Sequence, residues 1–118
     1  MGTWGVKPLD GDGMQDWLGD VQNDVEKRIA RALKKAKRNP AVARAAAHMI
    51  PRAYRCDLIS EFEAPALADF AIDVLENVVL ESRYMDEWKD EVIASKARAQ
   101  IKDEIRTLRR FRKAVSQD

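Results

Sequence analysis

Apolar residues recur at steps of three and four from Met14 through Leu18, Val21, Val25, Ile29 and Leu33 to Ala36. That spacing is the period of one helical face, and it predicts a helix of about six turns with a single stripe to bury. The same period returns twice. Leu67, Phe70, Ala71, Val74, Leu75, Val78 and Val79, widened by Ile72 and Leu80, predict a third helix from Pro65 that should be the most buried. Trp88, Val92, Ile101, Ile105, Leu108, Phe111 and Val115 mark a last helix from about Tyr84 to Val115. No alternation of strand length appears. The expectation is an all-α fold, one single-domain bundle of about four main helices over residues 1–118.

Punctuation residues set the helix ends. Asp12 with Gln15 resembles a capping box at the first helix, while Asp10 as cap would put Leu9 and Met14 in hydrophobic-staple positions. Asp12 is favoured, because glycines on either side of it suit a turn. Lys34, Lys35, Lys37 and Arg38 load the far end with charge that complements the helix dipole. Asn39 then caps a second helix with Pro40 at its first position. Its alanine-rich run to Ile50 permits close approach, so it is placed inside the bundle. Pro51 is expected to interrupt it, with a turn or two of helix beyond. Residues 60–65 read as a linker, Glu81-Ser82 as a break. The stripe thins between Ala94 and Gln100, where the last helix is expected to bend or leave the bundle, as an arm that could pack on a second copy.

Composition matters chiefly through charge. Formal net charge is +1, yet it is segregated: one base and four acids in residues 1–20, ten and two in 21–56, two and eleven in 57–91, eight and three in 92–118. Oppositely charged helices facing each other at their rims would explain this. A basic face for an acidic partner is the sharper alternative. No run of about 18 apolar residues suggests a membrane span, and no signal peptide is visible. A lone cysteine, Cys56, forms no internal disulfide, so a reducing cytoplasm is expected.

Most catalytic and metal motifs fail on spacing. Asp10, Asp12 and Asp16 suggest a calcium loop, but Met14 and Val21 occupy ligand positions. His48 and Cys56 are too few for zinc, and two helical turns with a proline between them make a poor nucleophile pair. His48 reads as a hydrogen-bonded packing residue and Cys56 as a semi-buried hydrophobe. No Glu-x-x-His pair, phosphate-binding glycine loop or nucleophile elbow occurs. Asp69, Asp73 and Glu76 read as the wet edge of the third helix. No catalytic residue, metal or cofactor is expected. Arg106, Arg109, Arg110 and Lys113 align on one helical face and form the candidate partner-binding surface, for protein before nucleic acid.

The opening residues resemble a known family. Met1, Gly2, Trp4, Gly5, Pro8, Asp10, Asp12, Asp16 and Trp17 are similar to the N-terminal cassette of the bacterial domain-of-unknown-function family numbered 4259, with Leu9 where Phe is usual and Gly11 where Asn is usual. Glu81 to Trp88 is a looser likeness. The resemblance covers about a third of the chain and implies an all-helical bacterial domain without a known activity. Trp4 and Trp17 are expected to clamp the N-terminal loop over the bundle. Size, charge blocks and the missing active-site constellation point to a non-enzymatic protein-binding domain, an immunity or antitoxin-type inhibitor of a bacterial toxin being its most concrete form. A structural homo-oligomer and a nucleic-acid accessory protein are the alternatives.

Overall fold

The structure, a computed structural model, describes residues 12–115. Four α-helices account for most of it: α1 (Asp12–Lys34), α2 (Pro40–Arg55), α3 (Ala64–Val74) and α4 (Glu91–Val115). A π-helical turn, Leu75–Val79, extends α3, and a 3₁₀ segment, Arg83–Glu87, precedes α4. No strand occurs among the described residues. The expectation of an all-α, single-domain bundle of about four main helices is met over these residues.

Cross-helix contacts define the topology. Gln22 on α1 reaches the end of α2 at Asp57, and a short turn joins the other ends, so α1 and α2 are antiparallel. Glu76 and Asp69 on or just past α3 meet Arg109 and Arg112 on α4, which run the opposite way. Arg44 meets Glu104, and Tyr54 meets Phe111, so α2 and α4 are parallel. The result is an up-down-up-down bundle, the simplest arrangement for helices joined by short loops. It is elongated, 60 × 27 × 21 Å.

The predicted stripes converge on one core. Ile29, Leu33 and Ala36 from the first stripe meet Ala43, Ala47 and Ile50 of α2, Leu67, Ala71, Val74, Leu75 and Val79 of the third stripe, and Ile101, Ile105 and Leu108 of α4. Ala43 and Ala47 are fully buried, as the close-approach argument requires. The Asn39 cap is also present: its side-chain oxygen accepts from the Val42 amide, with Pro40 opening the helix.

Four expectations are corrected. Pro51 does not interrupt α2, which continues to Arg55 with Pro51 buried inside it. Proline lacks the amide that Ala47 would otherwise receive, so burial offsets a lost helical bond. The last helix does not start at Tyr84. Ser82 caps the 3₁₀ segment, the chain is extended at Trp88, and Asp90 accepts from the Val92 amide to begin α4 afresh. Gly13 lies within the first turn of α1 rather than in a preceding turn. Trp17 is 59% exposed, so its ring is not packed into the core. The rest of that expectation, Trp4 with the loop around Asp10, lies outside the described residues.

No residue from Ala94 to Gln100 is buried, as the thinned stripe implies, but α4 runs unbroken through it, and Val92, expected among its apolar marks, is exposed with Ile93. The other end of the bundle is held by α1: Gln22 donates to the Asp57 carbonyl at 2.9 Å, and Glu26, one turn on, accepts from the Ser60 amide at 2.7 Å.

Asp57 has φ 63°, the left-handed region. It closes α2 in a Schellman motif, its own amide bonding to the Tyr54 carbonyl and that of Leu58 to the Ala53 carbonyl. A Cβ at this position is strained, and a negative charge opposes the C-terminal end of the helix dipole. Asp57→Gly removes both penalties and keeps the carbonyl that Gln22 uses. It raises stability by about 0.5–1 kcal/mol, read as a higher urea midpoint at unchanged slope.

Candidate protein-binding face

Two of the four basic residues singled out on α4, Arg106 and Arg109, are neutralised by their own fold, as is their neighbour Arg112. Arg109 reaches Glu76 at 2.5 Å and Arg112 reaches Asp69 at 2.8 Å. Arg106 pairs within its helix with Asp103. Arg110 and Lys113 make no ion pair among the described residues. Asp69 and Glu76, two of the three carboxylates expected at a wet edge, are therefore half of a rim that stitches α3 to α4, while Asp73 accepts from Asn77 one turn on. Exposed pairs of this kind contribute about 0–1 kcal/mol each, enough to favour a neighbour without holding the fold.

The basic block of residues 21–56 behaves differently. Only Arg44 has an anionic partner among the described residues. Its Nε and Nη2 donate to the two carboxylate oxygens of Glu104 at 2.8 and 2.6 Å, and Nη1 donates to the Tyr84 hydroxyl at 3.0 Å. These side chains are 21% and 13% exposed. The hydrogen bond to Glu104 raises the Arg44 pKa against the lowering effect of burial, fixing the guanidinium as a cation. Lys27, Arg28, Arg31, Lys34, Arg52 and Arg55 have no ion pair among the described residues. Rim pairing between opposite blocks thus explains α3 with α4; it leaves unpaired the cations of α2's last turns and both the acids and the bases of α1, among the described residues.

α2 presents a second face that the sequence reading passed over. Its core side is Ala43, Ala47 and Ile50. Opposite lie Val42, Ala45 and Met49, at steps of three and four, with Val42 48% and Met49 47% exposed. This second stripe was visible in the spacing, but alanine at position 45 and the stronger inner stripe conceal it. Beside it, a cleft of about 230 Å³ separates α2 from α4, floored by Ala47, Pro51 and Leu108. His48, Arg52 and Arg55 line its α2 wall, and Asp103, Glu104 and Thr107 its α4 wall. His48 is exposed rather than packed inside, because it lies on the outer side of the helix from Ala47. Cys56 is likewise exposed, since it caps α2 beyond the last core-facing position.

Among the described residues, no three His, Cys, Asp or Glu side chains are grouped to hold a metal ion. No described helix is long and apolar enough to cross a membrane. No buried side-chain polar atom lacks a partner among the described residues. No protein-family model, curated protein or solved structure matches this chain.

Proposed function

We propose that this chain is a non-enzymatic protein-binding domain, and that an acidic partner docks on the outer face of α2 and the adjoining cleft. The carrying observation is the juxtaposition of Val42 and Met49, each nearly half exposed, with the unpaired Arg52 and Arg55. Cations in the last turn of α2 suit its dipole, which is reason enough for arginine there. The dipole does not account for two large apolar side chains left in water on the same face. An apolar patch with free cations at one end suits a complementary, negatively charged protein, the acids of the α4 wall, Asp103 and Glu104, being already paired with Arg106 and Arg44. Inhibition of a toxin domain, as immunity and antitoxin proteins do, is the most concrete form of this reading. The cassette likeness to the family numbered 4259 adds a proposed bacterial ancestry and no activity.

The test is affinity capture from the native host, followed by substitution. Wild-type protein should retain one stoichiometric partner. Met49→Glu combined with Arg52→Glu should weaken that complex at least about 30-fold, the scale of losing a hot spot of ~2 kcal/mol. Arg110→Ala with Lys113→Ala should leave it within about twofold. A complex indifferent to the first pair and lost with the second returns the site to the end of α4. Salt-sensitive binding of a random DNA duplex, with no protein retained, would instead support the nucleic-acid alternative.

A further inference from the structure

The outer face of α1 carries a charge pattern that serves a lone helix poorly. Helical geometry puts Asp16, Asp20 and Asp24 on the face opposite Val25, Ile29 and Leu33, followed on that same face by Lys27, Arg31 and Lys34. All six are exposed, and none makes an ion pair among the described residues. Like charges three and four residues apart repel, so the acids strain one half of the helix and the bases the other. The helix dipole rewards acids in the first turn and bases in the last. It does not reach Asp20, Asp24 or Lys27 in the middle turns of a 23-residue helix.

The two halves are complementary to each other when one copy is reversed. About a point between Val25 and Glu26, Asp24 reflects onto Lys27, Asp20 onto Arg31, and Asp16 onto Lys34 to within one residue. We propose that α1 pairs with α1 of a second copy, antiparallel across a two-fold axis at that point. Each of the three attractions then occurs twice, as a self-complementary two-fold interface requires. Trp17, exposed on the flank of the strip, reflects to within one residue of Lys35 of the second copy, where a cation can sit over its ring. The face is separate from the outer face of α2, so dimer formation needs no other protein.

Because the attraction is between exposed charges, the dimer is salt-sensitive. Analytical ultracentrifugation of the purified chain at roughly 0.3 mM should show self-association in about 50 mM salt. The dissociation constant should rise at least about tenfold in 500 mM salt. Asp20→Lys alone and Arg31→Asp alone should each sediment as monomers, since each puts like charges opposite one another twice. Mixing the two variants should restore a dimer, because both cross-pairs become attractive. Should Asp20→Lys alter helicity by circular dichroism, Asp24→Lys against Lys27→Asp repeats the exchange. A wild-type chain that stays monomeric at low salt overturns the proposal. So does a dimer that ignores the substitutions, or a mixture of variants that fails to associate.

Discussion

Glu104→Ala lowers stability by about 2–3 kcal/mol, a loss near 10 °C in melting temperature for a chain this size. The substitution leaves the Arg44 guanidinium, 21% exposed, without the carboxylate that accepts two of its hydrogen bonds. The Tyr84 hydroxyl accepts only one and carries no charge to offset it. Full burial would make the cost about 3–5 kcal/mol, and residual solvent contact reduces it. A cation that stays charged cannot escape by losing its proton. Replacing both partners, Arg44→Met with Glu104→Leu, should recover most of the loss, since the penalty belongs to the stranded charge. Urea titrations of the single and double variants measure both effects, with a double variant no better than Glu104→Ala counting against this account.

Leu75→Ala costs about 3–4 kcal/mol. Leu75 is fully buried at the junction of α3 with the π-helical turn, where its carbonyl accepts from the Leu80 amide at 3.1 Å. The i to i+5 bond widens the helix by one residue and keeps both Leu75 and Val79 in the core. Truncation leaves a cavity that neighbouring backbone on this turn cannot close without breaking that bond. The half-buried Leu80 provides the comparison: Leu80→Ala should cost less than half as much by the same thermal or chemical denaturation.

Features written in adjacent residues were legible from the chain alone. Asn39-Pro40 announces a capped helix start because cap and first turn lie within four residues. The stripes through Ile29, Leu33, Leu67, Val74, Ile101 and Leu108 announce the core because period depends on local geometry only. Pro51 was misread because its cost is local and its compensation, burial beside the α2–α4 cleft, is not. The break at Trp88 was missed because Tyr84, Trp88 and Val92 keep helical spacing across it, although Asp90 held the capping signal. Charge blocks revealed that helices could select neighbours and not which ones would. Arg109 and Arg112 claim α3's side of the bundle, and the larger block on α1 and α2 is left over. The proposed docking face accordingly takes in Met49, Arg52 and their neighbours, while Arg110 and Lys113 keep unpaired charge at the end of α4 among the described residues.

The alternating up-down course of the helices has a kinetic consequence. Helices adjacent in sequence are mostly adjacent in space, so the chain can assemble by closing short loops, the condition for rapid folding. The Arg44–Glu104 latch joins residues sixty positions apart and requires the bundle to be nearly closed first. A contact made after the rate-limiting step leaves the folding rate almost untouched and governs how long the native state survives. The half-buried guanidinium between α2 and α4 is therefore less a guide to the fold than its clasp, setting the lifetime of a structure that other residues build.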